Sequence, residues 1–267
     1  MLAKKQNIKD NGEWIRALTN STAIYSFDDI KRLEQKAIKR IQRVASNYSN
    51  IASGWIAGKD SLVIHHILLK SGINFTPIMW RGINEYPAMK VWVDYNKPHN
   101  LIEEVIDKYS LEFLEKHPDF LFCKNGTRQR WMATKWERQR ADMKKHHFDL
   151  FITGRRLKDG NQCGNESTDF VVGKNGYDVF SPIGEWNNEQ LLAYIRYNNI
   201  ELPPFYNYER GFLIGSIAMG EWTERAVLDK TENEVWEELY QIDKSIVINA
   251  SKTLTSARKF LQERGLS

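Results

Sequence analysis

The residues with the clearest capacity for chemistry are Lys59, Asp60 and Ser61, which end the stretch IASGWIAGKDS at residues 51–61. A Walker-type phosphate loop would read Gly-x-x-x-x-Gly-Lys followed by Ser or Thr. Here Ser53 stands at the position of the first glycine, and Asp60 replaces the hydroxyl residue after the lysine. The stretch is therefore not a Walker loop, although its residue types still suit an anion.

The elements on either side indicate where these residues lie. IASGWI is a short apolar run typical of a buried strand, and SLVIHHILLK has apolar residues at helical spacing. Residues 58–61 are thus predicted to form a strand-to-helix turn, where backbone N–H groups and the helix dipole favour an anion. The positive end of the helix dipole repels a lysine at a helix start unless an anion lies nearby, which favours a phosphate-binding role for Lys59. The alternative interpretation is that Lys59 is an ordinary surface lysine.

A second cationic turn contains Arg155 and Arg156, which follow the apolar run DLFIT and Gly154. DLFIT is typical of a buried strand, so both arginines are predicted at its carboxyl end, the edge where open α/β sheets bind ligands. Planar guanidinium groups suit bidentate contacts to phosphate or sulfate oxygens. The alternative interpretation is a solvated basic loop.

The elements that must position these turns alternate between strands and helices. The predicted strands are IASGWI, NFTPIMW, NLIEEVID and DLFIT, and the predicted helices are SFDDIKRLEQKAIKRIQRV, SLVIHHILLK, YPAMKVWVDYN, residues 126–146 and NNEQLLAYIRYNNI. Ser26 and Asp29 give the first helix a capping-box pattern. TDFVVGKNGYDVFSPI has two strand-like halves around Asn175-Gly176, which indicates a hairpin. The order predicts an α/β fold with a mainly parallel, doubly wound sheet and one antiparallel addition.

The 267 residues are divided most simply into one α/β domain with helical ends. We assign residues 1–48 to an N-terminal helical segment packed on the core, 49–225 to the α/β domain and 226–267 to C-terminal helices. The last segment could pack on the core or form a homo-oligomer contact. Hydrophobic residues make up 42% of the sequence, which is enough apolar surface to exclude a disordered chain.

Charge and cysteine content narrow the class of protein. The net charge of +4 suits a phosphorylated ligand but does not by itself indicate nucleic acid. The two cysteines are too few for a disulfide framework. No apolar run is long enough to span a bilayer, and the N-terminal residues lack a signal-peptide pattern, so no membrane contact and a cytoplasmic location are predicted.

The Gly-Lys-Asp-Ser turn at residues 58–61 resembles the pyrophosphate loop, or PP-loop, of the adenine-nucleotide alpha-hydrolase superfamily. Three later segments resemble one branch of it, the phosphoadenosine phosphosulfate (PAPS) reductase family, in the same order. These segments are INEYPAMKVWVD, FITGRRLKDGNQ, which is similar to the family's Thr-Gly-x-Arg-Arg turn, and FSPIGEWNNEQLLAYIRYNNIELPPFYNYERGFLIGSI. Together they cover roughly residues 51–223, and their order is more specific than any one of them.

The resemblance implies a Rossmann-like fold and an adenine nucleotide ligand, ATP or a related molecule, with Mg²⁺ as the partner of ATP. The site residues that it implies are Ala57, Gly58, Lys59, Asp60, Ser61, Gly154, Arg155 and Arg156. Lys59, Asp60 and the two arginines would be the catalytic members. A carboxylate beside phosphate must turn away, cap the following helix or hold a bridging Mg²⁺, and Asp60 is therefore the candidate metal ligand.

Departures from the family pattern bear on the reaction. Ile56 takes the place of the loop's leading serine, while Met219 and Trp222 stand where iron–sulfur ligands would be. The tail RKFLQERGLS lacks the family's nucleophilic cysteine. We therefore expect no iron–sulfur cluster and no thiol-based PAPS reduction. Cys163, which follows the arginine turn, is best explained by packing, and the role of Cys123 is open.

Other polar residues have structural explanations. His65 and His66 lie in a largely apolar helix, where packing is favoured over catalysis. Residues 124–145 concentrate positive charge with interleaved tryptophans, a pattern found on nucleic-acid-binding surfaces. A solvated amphipathic helix gives the same pattern and is the favoured interpretation, with nucleic acid kept as a possible partner.

Three functions follow from this reading. The preferred one is attack at the α-phosphate of ATP, with pyrophosphate leaving and an unknown acceptor becoming adenylylated. The second is binding of PAPS or adenylyl sulfate, with sulfur transfer or reduction by an external thiol. The third is a non-catalytic nucleotide- or nucleic-acid-binding accessory protein.

Overall fold

The computed structural model describes residues 10–107, 109–123, 127–174, 176–214, 222–224 and 230–266. A six-stranded sheet lies at its centre, formed by β1 (Ile51–Gly54), β2 (Thr76–Gly82), β3 (Ile102–Ile106), β4 (Leu150–Ile152), β5 (Val171–Lys174) and β6 (Tyr177–Phe180). The strand order is β3-β2-β1-β4-β6-β5. The pairs β3–β2, β2–β1, β1–β4 and β4–β6 are parallel, and β5 pairs antiparallel with β6.

Helices cover the sheet. They are α1 (Asn11–Ile24), α2 (Phe27–Ala45), α3 (Lys59–Ser71), α4 (Pro87–Asn96), α5 (Leu111–Lys116), α6 (Thr127–Lys145), α7 (Asn188–Tyr197), α8 (Gly211–Ile214) and the C-terminal helices Glu232–Ile242, Lys244–Ser251 and Thr255–Glu263. Short 3-10 segments occur at Pro118–Cys123, Leu157–Asp159, Glu166–Thr168, Pro204–Asn207 and Trp222–Glu224. Within the described ranges, no helix combines the length and apolar character that crossing a membrane requires.

Local sequence signals account for the start of α2 and for the hairpin. Ser26 caps α2 by accepting from the Asp29 N–H, and the Asp29 carboxylate accepts from the Ser26 N–H, which confirms the predicted capping box. The antiparallel pairing of β5 with β6 confirms the hairpin. In the turn between the two strands, Gly176 has φ of +89°, a conformation that favours glycine. Asn175 lies outside the described residues.

Alternating side chains give the sheet two different faces. Ile51 belongs to the large core that includes residues of α1, α2, α3 and α7. Its neighbour Ala52 lies on the opposite face, in a smaller cluster with Met143 of α6 and Phe151 of β4. Helices therefore cover both faces, and the predicted doubly wound, mainly parallel α/β fold is confirmed.

The strand order reverses at β1. The chain passes from β1 through α3 to β2 and β3 on one side, whereas β4 and β6 lie on the other side. The carboxyl ends of β1 and β4 therefore form the switch point at which doubly wound sheets bind ligands. Residues 55–58 follow β1, and residues 153–156 follow β4, so the two predicted anion-binding turns meet at this edge.

Candidate functional site

The loop after β1 is held by the side chain of Ser61. Its hydroxyl donates to the Gly58 carbonyl oxygen at 2.9 Å and accepts from the Ile56 N–H at 3.3 Å. Ala57 has φ of +53°, and Gly58 is extended and caps α3 without a side-chain hydrogen bond. Ser61, which we predicted to contact phosphate, closes the loop in this structure.

The loop and the start of α3 carry backbone donors without acceptors. Among the residues that the structure describes, the N–H groups of Ala57, Gly58 and Ser61 have no hydrogen-bond partner, and all three residues are buried. The neighbouring N–H of Lys59 donates to the Tyr206 hydroxyl at 2.7 Å. The N–H of Ser61 is one of the first N–H groups of α3, which have no partner within the helix, so these three donors leave hydrogen-bonding capacity at the start of α3.

The Lys59 side chain extends into the protein interior. It is only 2% exposed, its Nζ donates to Asp60 Oδ2 at 2.5 Å, and the ammonium lies 5.8 Å from the centre of the Trp14 ring. Trp14 in turn stacks on Phe212 with ring centres 5.3 Å apart. Helix α1 therefore covers the lysine of the loop through a stack of aromatic rings.

Arg156 is also fully buried, and it joins the turn after β4 to the loop after β1. Its Nε donates to Asp60 Oδ1 at 2.8 Å. The remaining guanidinium nitrogens contact the Asp159 carboxylate at 2.9 Å, the Asn188 side chain at 3.0 Å and the Trp186 carbonyl oxygen at 3.4 Å. Arg156 therefore has a complete set of partners within the protein.

Asp60 connects the two buried cations, because one carboxylate oxygen accepts from Lys59 and the other from Arg156. Burial raises the pKa of the adjacent Tyr206 hydroxyl, and the charge of Asp60 raises it further, so Tyr206 stays a neutral phenol. The role of Asp60 as a magnesium ligand stays a prediction.

Gly154 allows the two turns to touch. A Cβ atom at this position would lie 2.7 Å from both the carbonyl carbon and the carbonyl oxygen of Asp60. Hydrogen bonds on either side fix the turn: the Thr153 N–H donates to the Phe180 oxygen at 2.8 Å, and the Leu157 N–H donates to the Gly184 oxygen at 2.9 Å. Only glycine fits this approach of backbone to backbone.

Arg155 does not share the surroundings of Arg156. The backbone at Arg156 is extended, with φ of −134° and ψ of 146°, and its side chain reaches Asp60. Arg155 lines a narrow pocket between α6 and the sheet, together with Trp136, Gln139, Arg140, Phe151, Tyr177 and Val179. The structure therefore brings Arg156 to the loop, and Arg155 to the face covered by α6.

The surroundings of Cys163 do not activate its thiol. Burial raises the pKa of the Cys163 thiol, which keeps it protonated at neutral pH. Cys123 is half-buried at the end of the 3-10 segment Pro118–Cys123. Trp222 is buried and packs on Trp236 with ring centres 5.6 Å apart, whereas Met219 lies outside the described residues.

The two histidines of α3 pack in the interior, as their apolar surroundings predicted. The Tyr194 hydroxyl lies 2.9 Å from His66 Nδ1, and His65 packs edge-on against Phe75. Burial lowers the pKa of His65 from 6.5 to about 4, and the pKa of His66 is also lowered by burial. Both imidazoles are therefore neutral near pH 7.

The buried His65 should make the stability of the protein depend on pH. Between pH 6.5 and about 4 the unfolded chain binds the proton and the folded chain does not, so stability falls as pH falls through this window. The slope contributed by His65 is at most about 1.4 kcal/mol per pH unit. His65→Leu should reduce this dependence in urea unfolding measured from pH 4.5 to 7. Equal slopes for wild type and His65→Leu would contradict the assignment.

Three residues at this site had no role predicted from the sequence. Trp14 covers Lys59, Tyr206 accepts from the Lys59 N–H, and Asn188 accepts from Arg156. Tyr206 lies 147 positions beyond Lys59, and no local spacing relates the two. The Trp186 carbonyl oxygen also accepts from Arg156.

The mainly parallel, doubly wound sheet with a loop and a turn at its switch point defines a Rossmann-like α/β domain. Residues 50–216 match the phosphoadenosine phosphosulfate reductase domain, which is more than half of the chain. The chain belongs to this family.

The solved structures to which the chain is similar have low sequence identity to it. A phosphoadenylyl-sulfate reductase from Candida auris in complex with phosphate is 19% identical, with a TM-score of 0.49 over 67% of this chain and 90% of that one. An NMN synthetase from Francisella tularensis is 15% identical, with a TM-score of 0.44 over 88% and 93% of the two chains. An NH3-dependent NAD synthetase from Campylobacter jejuni is 13% identical, with a TM-score of 0.39 over 89% and 95%. Comparison with curated proteins finds no match.

Proposed function

We propose that this chain binds ATP with its phosphates at the N-terminus of α3 and transfers the adenylyl group to an acceptor. The observation that carries the proposal is the set of buried N–H groups at Ala57, Gly58 and Ser61 that have no partner among the described residues. Each unsatisfied buried donor costs about 1–3 kcal/mol, and the oxygens of a phosphate would remove that cost. The positive end of the α3 dipole adds to the attraction.

The proposed reaction is a substitution at the α-phosphorus. A nucleophilic atom of the acceptor forms a bond to phosphorus, and the bond from phosphorus to the bridging oxygen breaks. Pyrophosphate leaves with the electron pair, and the acceptor loses its proton to solvent. Backbone N–H groups around residue 58 would stabilise the charge that develops on the phosphate oxygens, because they are already oriented before the reaction begins.

Besides the backbone N–H groups, the charged side chains of Lys59, Asp60 and Arg156 would affect a bound phosphate. Asp60 pairs with both Lys59 and Arg156, and Asp159 also pairs with Arg156, so a bound phosphate would compete with the Asp60 carboxylate for the Lys59 ammonium. Mg²⁺ accompanies ATP and would neutralise part of the phosphate charge, with Asp60 as the carboxylate placed to hold it. Arg156, which also binds Asp159 and Asn188, would keep its structural contacts.

Reduction of a sulfonucleotide by a thiol of this chain is less well supported. The raised pKa of Cys163 disfavours the thiolate that such chemistry needs. The sequence also has methionine and tryptophan at positions 219 and 222, where the family's cluster ligands stand, and no cysteine in its tail. Tighter binding of PAPS than of ATP is therefore the result that would favour this alternative.

The test is isothermal titration with ATP, PAPS and adenosine bisphosphate, each with and without Mg²⁺. We expect ATP to bind in the presence of Mg²⁺, and Lys59→Ala to weaken this binding by about tenfold or more, because a charged contact is removed. Lys97→Ala, which removes a surface lysine paired with Glu103, is the control and should bind as wild type does. Release of pyrophosphate should then be measured with candidate acceptors.

Three other titration results would change the proposed function. Unchanged ATP binding by Lys59→Ala would show that the phosphates bind elsewhere. A preference for PAPS over ATP would favour sulfonucleotide chemistry with an external thiol. ATP binding without pyrophosphate release from any acceptor would favour the accessory role.

A further inference from the structure

Helix α1 precedes the matched family domain in the chain, yet one of its side chains covers the loop after β1. The family match begins at residue 50, whereas α1 spans Asn11–Ile24. Trp14 of α1 is 0% exposed, and the Lys59 ammonium lies over its ring, 5.8 Å from the ring centre. A residue outside the family domain therefore packs on the lysine that we propose to bind phosphate.

Hydrogen bonds fix the start of α1 to the chain around α8. Asn11 Nδ2 donates to the Tyr206 carbonyl oxygen at 2.9 Å, and Asn11 Oδ1 accepts from the Phe212 N–H at 2.9 Å. Trp14 follows Asn11 by three positions, which places both side chains on one face of the helix, and it stacks on Phe212. The Tyr206 hydroxyl in turn accepts from the Lys59 N–H. Trp14 is therefore held beside the loop both by its own helix and by the Phe212 ring.

The indole nitrogen of Trp14 is buried and has no hydrogen-bond partner among the residues that the structure describes. A buried donor without an acceptor costs free energy, so such a group calls for an explanation. Trp236 in the C-terminal helix Glu232–Ile242 is equally buried and likewise lacks a partner in the described ranges, so this feature alone does not define a site. Trp236 packs on the rings of Phe122 and Trp222. Trp14 differs because it lies against a buried ammonium group.

An anion bound to Lys59 would lie within reach of the indole. The proposed function has a phosphate competing with Asp60 for the Lys59 ammonium, which brings a phosphate oxygen to within about 2.8 Å of Nζ. Two hydrogen bonds of about 2.9 Å can join donors roughly 6 Å apart through one oxygen, and the other oxygens of the same phosphate extend that reach. The indole N–H is a donor only, so its partner must be an acceptor. The ammonium and the indole N–H are thus a pair of donors suited to one phosphate group.

We propose that Trp14 is a nucleotide-binding residue whose indole N–H donates to the phosphate group that Lys59 binds. This inference rests on the proposed function, because it adds α1 to the nucleotide site at the start of α3. The aromatic ring also shields the Lys59 ammonium from water, and electrostatic attraction to a phosphate is stronger where water is excluded. Helix α1 thus supplies part of the site as well as packing on the core.

The first experiment compares two conservative substitutions. Trp14→Phe keeps an aromatic ring against Phe212 and Lys59 but removes the N–H, and Trp236→Phe makes the same change in an equally buried ring that packs on other residues. Calorimetric titration with Mg²⁺ and ATP should show affinity lower by about tenfold or more for Trp14→Phe, because a hydrogen bond to a charged group is lost. Trp236→Phe should bind as wild type does. Thermal unfolding shows whether the variants are folded; if Trp14→Phe is not, Trp14→Met, whose flexible side chain fills core gaps, replaces it.

The second experiment observes the hydrogen bond itself. The protein contains nine tryptophans, and each indole N–H gives one signal in a ¹H–¹⁵N correlation spectrum. The signals that are missing from the two variants assign Trp14 and Trp236. Addition of Mg²⁺ with ATP, or of Mg²⁺ with inorganic pyrophosphate, should move the Trp14 proton signal downfield, as a hydrogen bond to an anionic oxygen does. The Trp236 signal should stay in place. A role for Trp14 in packing alone would not produce this shift.

The outcomes separate this inference from the proposed function. Wild type that binds no ATP but shows the downfield shift with pyrophosphate would contradict adenylyl transfer from ATP and would support the role of Trp14. A Trp14 signal that neither ligand moves, or normal ATP affinity in Trp14→Phe, would overturn the role of Trp14 even where ATP binds to wild type. Equal loss of affinity in Trp14→Phe and Trp236→Phe would also overturn it, because the loss would then reflect core packing.

Discussion

Arg156→Ala is expected to lower the free energy of unfolding by about 3–5 kcal/mol, the amount typical of removing one partner from a buried ion pair. The guanidinium is fully buried and binds Asp60, Asp159, Asn188 and the Trp186 carbonyl oxygen. Truncation to alanine would leave Asp159 without its cation, would remove one of two cations from Asp60, and would leave a cavity. The link between the turn after β4 and the loop after β1 would be lost with it.

The neighbouring arginine provides the matched control. Arg155→Ala removes the same side chain one position earlier, where it lines a pocket and has no ion pair in the described part of the chain, so the change in stability should be within about 0.5–1 kcal/mol. Urea unfolding followed by tryptophan fluorescence measures both variants. If Arg156→Ala does not fold, Arg156→Lys should retain one charged contact and be destabilised by less. Equal losses for the two alanine variants would refute the division of roles between the arginines.

Gly154→Ala should weaken ATP binding by about tenfold or more, because loss of one hydrogen bond to a charged phosphate costs about 1.5–3 kcal/mol. The added methyl group would lie 2.7 Å from the backbone carbon and oxygen of Asp60, and backbone atoms cannot rotate away as a side chain can. The turn after β4 and the loop after β1 must therefore separate. Overpacking of this kind also costs about 1–3 kcal/mol of stability.

A glycine elsewhere in the sheet separates the local effect from a general loss of stability. At Gly173 of β5, a Cβ atom would meet only the Asp178 carboxylate oxygen at 3.2 Å, and that side chain can move. Gly173→Ala should therefore bind ATP as wild type does. Calorimetric titration with Mg²⁺ and ATP measures both variants, and thermal unfolding shows whether they are folded. Normal affinity in Gly154→Ala would mean that nucleotide binding does not depend on contact between the two turns.

Much of the scaffold follows from signals that act over short distances. The capping box at Ser26, the apolar runs of β1 and β4, and the hairpin between β5 and β6 were all predicted, because each depends on residues close together in the chain. The alternation of strands and helices predicted a mainly parallel sheet. Since parallel strands end at the same edge, the sequence also placed the loop at residues 57–61 and the turn at residues 154–156 near each other.

Tertiary structure alone decided what the individual side chains do at that edge. Arg155 and Arg156 are adjacent and chemically identical, yet an extended backbone between packed layers sends one into a buried ion-pair network and the other into a pocket against α6. Trp14 and Tyr206 reach Lys59 from distant parts of the chain. The sequence by itself determined which turns could hold an anion. Which of the two arginines pairs with carboxylates depended on contacts between residues far apart in the chain, such as Arg156 with Asp60, and local patterns carry no record of these.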